Sequence, residues 1–285
     1  MFANKVVLIT GGSSGIGASA VEGFGKEGAS VAFVGRNEAK LQAVAERCGA
    51  KTFPIKADIA KDDEAKTIVA KTIEKFGKLD VLVNNAGIAR VVGVDHPNLL
   101  ESYDVVVNTN LRAVVLITNL AIPYLKATKG NVVNVSSVAS TSIVAEGFVP
   151  YCVSKAGLDH YTRGAARELA SSGVRVNSVN PGPVLTDMAV NSGIADSLPD
   201  LDKMVMPALG RLSDADEISD LIMYLASDKA RSVTVLECNF RHMHRLNKFK
   251  CLQYLFLYNF DKQLPAGKLR QHLQECSSLS KSIIL

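Results

Sequence analysis

Val6-Val7-Leu8-Ile9-Thr10-Gly11-Gly12-Ser13-Ser14-Gly15-Ile16-Gly17 is the stretch that decides the fold. Four apolar residues follow one another without a polar interruption, the pattern of a strand covered on both faces. The run stops at a glycine-rich turn that opens into a helical pattern over 15–27. In such a strand–turn–helix, Gly11 permits the tight turn and Gly15 lets backbone approach a pyrophosphate. Gly17 lets the helix pack on the strand, and the helix N-terminus meets the phosphate charge. Three glycines in an arbitrary loop would say little. Between a first strand and a first helix they point to a dinucleotide.

The alternation continues outward from this unit. Residues 5–10, 29–35, 51–57, 79–84, 131–136 and 174–180 read as strands, and 15–27, 37–48, 62–76, 99–126 and 150–172 as helices. That order specifies an α/β fold, a doubly wound parallel sheet flanked by helices and joined by right-handed crossovers. Val81-Leu82-Val83 and the valines of Asn131-Val132-Val133-Asn134-Val135 are apolar on consecutive positions, as a sheet covered on both sides requires. No internal repeat or low-complexity linker interrupts the pattern.

Bulk properties narrow the function classes. With 285 residues, 47% apolar and 21% charged, the chain can bury a sizeable core and is neither disordered nor a coiled coil. No apolar run approaches the roughly 20 residues of a bilayer span, and Val6–Ile9 runs into glycines as a strand does, not as a signal peptide does. Five irregularly spaced cysteines show neither a metal pattern nor a disulfide framework, so no metal site and a reducing, cytoplasmic setting are expected. The net charge of +4 is unevenly spread. Residues 1–235 carry 24 Lys+Arg against 25 Asp+Glu, whereas 236–285 carry 8 against 3, with three of the five cysteines and one of the 21 glycines. This marks a domain over 1–235 and a divergent basic, aromatic tail over 236–285, expected to be poorly ordered or loosely helical. The tail brings no recognised nucleic-acid motif.

Tyr151 and Lys155 carry the clearest chemistry. Four apart on a helix, they share one face, and an ammonium beside a phenol pulls its pKa down from about 10 toward neutrality. A tyrosine so placed can donate and accept a proton. The alternative is a solvated helix face, which the surrounding residues argue against. His96 and His160 have no partner at metal or triad spacing, and Cys152 reads as a packing residue.

The ordered set Gly11-x-x-x-Gly15-x-Gly17, Asn84-Asn85-Ala86-Gly87, Asn110, Ser137, Tyr151-x-x-x-Lys155 and Asn180-Pro181-Gly182 resembles the short-chain dehydrogenase/reductase family over residues 3–232, within it most the 3-oxoacyl-(acyl carrier protein) reductase-like group. The resemblance implies a Rossmann-type domain. It also implies an NAD(P)-dependent oxidoreductase that interconverts a carbonyl and an alcohol by hydride transfer, and a homodimer or homotetramer. Tyr151 would be the general acid or base, and Lys155 would tune it and hold the nicotinamide ribose. Ser137, chosen over Ser136, would bond the substrate oxygen, and Asn110 would position a water that links Lys155 to solvent.

Gly11, Ser13, Ser14, Gly15, Ile16 and Gly17 would cradle the dinucleotide, with Asp58 and Ile59 near the adenine and Asn85, Ala86 and Gly87 along its ribose. Pro181, Gly182, Val184 and Thr186 would hold the carboxamide. Asp80 and Arg112 match positions read as structural. At the end of the second strand an NAD-preferring site usually carries an acid; here Gly35 is followed by Arg36 and Asn37. A guanidinium can grip a 2′-phosphate that a carboxylate would repel, so NADP(H) is favoured over NAD(H). Many NADP-binding relatives add a basic residue inside the glycine loop, where this chain has Ser13 or Ser14. The segment 187–207, with Met188, Ile194, Leu198, Met204 and Met206, corresponds to a substrate lid suited to an apolar or acyl group.

One part departs from the family pattern. After Leu225-Ala226-Ser227-Asp228 relatives close with a last strand and a Val-Asp-Gly-Gly turn, which are missing here. The last strand is therefore expected to be absent or replaced, with Val233-Thr234-Val235-Leu236 as the substitute and the apolar run 251–260 packing on the edge or promoting aggregation. An alternative reading follows: a chain that binds the dinucleotide without turnover.

Overall fold

The computed structural model describes residues 1–48, 51–195, 211–235 and 237–239, all within one unit, Met1–Arg241. Of the tail 236–285, expected to be poorly ordered or loosely helical, residues 237–239 instead form a strand, and 236 and 240–285, the run 251–260 included, lie outside the described residues, as does the part of the lid beyond residue 195.

The elements run β1 (Val6–Thr10), α1 (Gly15–Lys26), β2 (Ser30–Gly35), α2 (Glu38–Cys48), β3 (Thr52–Lys56), α3 (Asp62–Phe76), β4 (Val81–Asn84), α4 (Leu99–Val107), α5 (Ala113–Thr128), β5 (Asn131–Val135), α6 (Val149–Leu169), β6 (Arg175–Asn180), α7 (Met188–Ser192), α8 (Ala215–Ala226) and β7 (Glu237–Asn239). The sheet order is β3-β2-β1-β4-β5-β6-β7, and every pairing among the described residues is parallel. The order reverses between β1 and β4, and the crevice beyond the carboxyl ends of these two strands is where ligands bind in such sheets.

Alternation along the strands fills both faces. Val6, Leu8, Ala32, Val34, Leu82, Val132 and Val176 join residues of α3, α5 and α6 in one buried cluster. The intervening Val7, Ile9, Val31, Phe33 and Val83 are equally buried toward the opposite face. There α1 meets α8 closely: a Cβ on Gly23 would stand 2.8 Å from Met223 Sδ, and Ser19 and Ser219 share a hydrogen bond of 3.1 Å. Asp80 anchors the amino end of the sheet, accepting from Val6 N at 2.8 Å and pairing with Lys78 and Lys5. Arg112 grips Asp62 across α3. Both act as structural ties, as read from the sequence.

The predicted helix 99–126 is one continuous 30-residue helix, Leu99–Thr128, in which Asn108–Arg112 form a π-turn. By length and composition it would suffice to cross a membrane; its apolarity is spread over a helix interrupted by polar residues and not concentrated in one apolar run. Ala113, Ile117, Ala121 and Leu125 are embedded in the sheet core, so this apolarity serves packing.

At the carboxyl end, a replacement strand exists but begins later than expected. β7 pairs with β6 in the register Ser178↔Glu237 to Asn180↔Asn239. Val235 takes a left-handed φ of 68°, which a β-branched residue adopts only under constraint, and this interrupts the predicted strand 233–236. The segment before it is instead held by side chains and main chain of β6: Val233 O accepts from Asn177 Nδ2 (3.0 Å) and Arg175 Nη1 (3.1 Å), and Thr234 Oγ1 accepts from the main-chain N of Val176.

Candidate active site

The glycine turn has the shape its sequence promised. Gly11 has φ 68°, and a Cβ there would lie 2.8 Å from Ala86 Cα; a Cβ on Gly17 would lie 2.1 Å from Gly11 O. No side chain caps the first turn of α1, and none of that turn is acidic, so its amides remain suited to an anion. Ile16 lies within that turn, half-buried. The turn is tied to the end of β4. Thr10 Oγ1 accepts from Asn85 N and Ala86 N (3.0 and 3.1 Å), and Asn85 Nδ2 donates to the carbonyls of Thr10 and Gly11. Asn85 thus braces the turn with its side chain, and Thr10, which the sequence reading passed over, is the hub of that brace.

The second strand ends at Gly35, where a side chain would press on those of Ser13 and Leu41. A Cβ on Gly35 would stand 2.9 Å from Ser13 Oγ. Arg36 is exposed and has no hydrogen-bond or ion-pair partner among the described residues. Asn37 Oδ1 accepts from Lys40 N and caps α2. Asp58 forms a local turn, accepting from Ala60 N, while its own N–H donates to Glu64. The Ile59 side chain is packed in the core and leaves its main chain for any contact with a nucleotide.

The catalytic candidates converge on one wall. Lys155 is 3% exposed, and its Nζ donates to Val135 O at 2.8 Å and lies 5.7 Å from the centre of the Tyr151 ring. The Ser137 hydroxyl accepts from Ala139 N, capping the short turn Val138–Ser140, and donates to Pro181 O, while its effect on the Tyr151 phenol is to lower its pKa. Ser136, the competing serine, is spent on Lys155 O. Asn110 sits in the π-turn, which aims its amide inward: Oδ1 accepts from Ile88 N, and Nδ2 donates to Ile88 O and Ser154 Oγ. Ser154, unassigned by sequence, in turn donates to Tyr151 O. Gly87 faces both groups, a Cβ there meeting Asn110 Oδ1 and Lys155 Nζ at 3.5 Å each.

One electrostatic expectation fails. Burial pushes the Tyr151 phenol up to about 12, against a smaller lowering by Ser137. Burial pulls Lys155 down to about 8, opposed by the charge of Asp159. The lysine does not bring the tyrosine toward neutrality because desolvation outweighs a charge held off the phenol and bonded to Val135 O.

The last group of residues roofs the site. Pro181 O accepts from Val138 N (3.0 Å) and Ser137 Oγ, Gly182 has open space where a Cβ would stand, and Val184 bridges to Ser213. Thr186 packs on Gly15, whose Cβ would lie 2.9 Å from Thr186 Cγ2; Asn191 Nδ2 bonds Ser14 Oγ; and Asp187 pairs with Lys40 at 2.8 Å. Ile194 joins Ala89, Phe148 and Cys152 in an apolar cluster against which Tyr151 and Met188 pack. The glycine turn and the uncapped first turn of α1 fit the phosphates of a dinucleotide.

Comparison with known proteins agrees. Residues 5–196 match the model of the short chain dehydrogenase family. The 3-oxoacyl-(acyl-carrier-protein) reductase of Staphylococcus aureus is 38% identical over 241 residues, covering 81% of this chain and 94% of that protein. Among solved structures, 3-ketoacyl-(acyl-carrier-protein) reductase from Brucella melitensis complexed with NADH is 30% identical, with a TM-score of 0.74 and coverage of 84% of this chain and 97% of that one. A short chain dehydrogenase from Burkholderia cenocepacia in complex with NADP is 32% identical, with a TM-score of 0.75 and coverage of 84% and 96%. With the fold, the glycine turn and the Tyr151–Lys155 wall in place, the chain belongs to the short-chain dehydrogenase family of oxidoreductases.

Proposed function

We propose that this protein is an NADP(H)-preferring reductase that converts a carbonyl of a small apolar or acyl-type substrate to an alcohol, with Tyr151 as the proton donor. The observation that carries the reading is the convergence of Tyr151, Ser137, Lys155 and Asn110 beside the open space at Gly182. The phenol is protonated at neutral pH, and because burial makes it a weaker acid than one matched to that pH, the proton moves only as negative charge develops on the substrate oxygen. Ser137 stabilises the negative charge that develops on the substrate oxygen. Lys155 holds the ribose hydroxyls, and Asn110 keeps a proton route open between Lys155 and solvent. The bound dinucleotide supplies the hydride.

Relatives are known with NADH and with NADP, so the preference rests on this chain's own residues. Gly35 leaves no carboxylate to repel a 2′-phosphate, and exposed Arg36 is available to grip one. The apolar cluster of Ile194, Phe148, Ala89 and Cys152 suits an acyl chain, as do the acyl substrates named for the bacterial relatives. Leu100, Val105, Val115 and Tyr124 expose apolar surface along α4 and α5, which supports assembly into a homodimer or homotetramer.

Titration of the full-length chain with NADPH and NADH by nicotinamide fluorescence, followed by assays on 3-oxoacyl thioesters, ketones and aldehydes, tests the proposal. NADPH is expected to bind at least about tenfold more tightly, a difference of about 1.4 kcal/mol. Tighter NADH binding refutes the role of Arg36. Binding without turnover on any carbonyl would favour the non-catalytic alternative.

A further inference from the structure

Asp159 is a carboxylate that the proposed reaction leaves without a task. It lies on α6 four residues beyond Lys155, on the same face, and is 2% exposed. Its Oδ2 accepts from Asn180 Nδ2 at 2.7 Å, while its Oδ1 is buried without a partner. A buried carboxylate oxygen with no donor is costly and calls for an explanation. Asn180, at the end of β6, also reaches Ser137 O (3.2 Å) and Ser140 Oγ (3.1 Å), and its Oδ1 accepts from Ser178 Oγ. One side chain thus joins the helix of Tyr151 and Lys155, the loop of Ser137 and the Pro181–Gly182 turn.

We propose that Asp159 is a positioning residue: it clamps Asn180, and through it the Ser137 loop, and it supplies the counter-charge that keeps the buried Lys155 ammonium protonated. The inference rests on Tyr151 and Lys155 being the proton-transfer pair. The other charges around Lys155 do not compete. On α6 itself, His160, Arg163, Arg167 and Glu168 are exposed. On α4, Glu101 and Asp104 are exposed; Arg112 of the π-turn is taken by Asp62; and Arg175 on β6 bonds Val233 O and Ser227 O at the far end of the strand. Tyr151 is the titratable neighbour, and it is neutral. The field of Asp159 opposes the desolvation that lowers the Lys155 pKa.

Titration of Lys155 by carbon NMR of protein labelled at the lysine Cε, in the full-length chain without dinucleotide, tests this directly; Lys155→Met assigns the resonance. Asp159→Asn keeps an acceptor for Asn180 and removes only the charge. It is expected to lower the Lys155 midpoint by about one pH unit or more. An unchanged midpoint in a folded Asp159→Asn protein overturns the proposal. Asp159→Ser, which admits water, gives the same reading should the amide variant not fold. Because Ser no longer reaches Asn180, its kcat is expected to fall at least about tenfold below that of Asp159→Asn, with the NADPH Kd held; equal kcat values would refute the clamp. A merely structural role would move the thermal midpoint and leave the Lys155 titration in place. The NMR reading stands whether or not the protein turns over a carbonyl, so failure of the reductase proposal and failure of this one are distinguishable.

Discussion

At the residue scale, burial governs the site. Tyr151 and Lys155 are each shifted against their charged forms, and the two shifts have opposite consequences for stability. Lys155 has a folded value of about 8 against 10.5 for an ordinary lysine. Below pH 8 both states carry the proton, and the folded protein bears the full cost of burying it. Between 8 and 10.5 the folded state releases its proton first, so stability rises with pH across that window, by roughly 3 kcal/mol at most. Above pH 10 the raised Tyr151 value reverses the trend up to about 12. Urea denaturation at pH 7 and pH 10 is therefore expected to show a gain that Lys155→Met lacks; equal gains in both proteins would rule out the buried ammonium as its source. At the cofactor end, Arg36→Ala is expected to weaken NADPH binding by about tenfold or more and to leave NADH binding within about twofold, checked by fluorescence titration. The choice of these residues came from the ordered motifs around them and from the family resemblance those motifs carry. Their electrostatics were not legible, because burial is a property of the closed wall that Val135, Ser137 and Asn110 build. Thr10 and Ser154 escaped notice for a related reason: a small hydroxyl becomes a hub only when the backbone brings carbonyls and amides around it.

At the element scale, the strand–turn–helix units were readable to within a residue or two because their apolar runs and glycines act locally. The end of α8 was read at Leu225–Asp228, but its start was not placed, even though Asp214 and Glu217 form a reciprocal capping box, with Asp214 N donating to Glu217 Oε2 at 2.9 Å. That signature was present in the letters. Arg211 grips the same Glu217, holding its carboxyl near 2. Asp214→Ala is expected to cost about 1 kcal/mol, read as a lowered urea midpoint; because α8 packs on α1, the loss should appear in global unfolding and not as local fraying. The π-turn at Asn108–Arg112 was not readable, since its extra residue per turn depends on Asn110 finding Ile88 and Ser154 across the site. Replacing Gly17 by alanine forces a Cβ into Gly11 O and is expected to abolish NADPH binding by fluorescence titration while the far-ultraviolet spectrum stays helical. Retained binding would mean that the phosphate turn lies elsewhere.

At the scale of the whole molecule, the sheet is closed by a strand that composition did not announce. The break near residue 235 is real in charge and glycine content, yet the backbone carries on into β7 because Arg175 and Asn177 hold Val233 and Thr234 pairs with Val176. A chain ending after Arg241 is expected to keep the thermal transition of the full-length protein, whereas one ending after Ser232 loses these anchors and melts several degrees lower. Matching transitions for all three chains would show that the replacement edge contributes nothing. The closure matters for function because β6 carries Asn180 and leads into Pro181 and Gly182.

The central claim is that the Tyr151 phenol delivers the proton in a carbonyl reduction driven by a dinucleotide on the glycine turn. Single-turnover oxidation of bound NADPH by a 3-oxoacyl thioester, compared between the native chain and Tyr151→Phe at saturating NADPH, tests it most directly. Equal NADPH affinity and a rate reduced about 100- to 10,000-fold are expected in the phenylalanine variant. Turnover at the native rate without the phenol would contradict it.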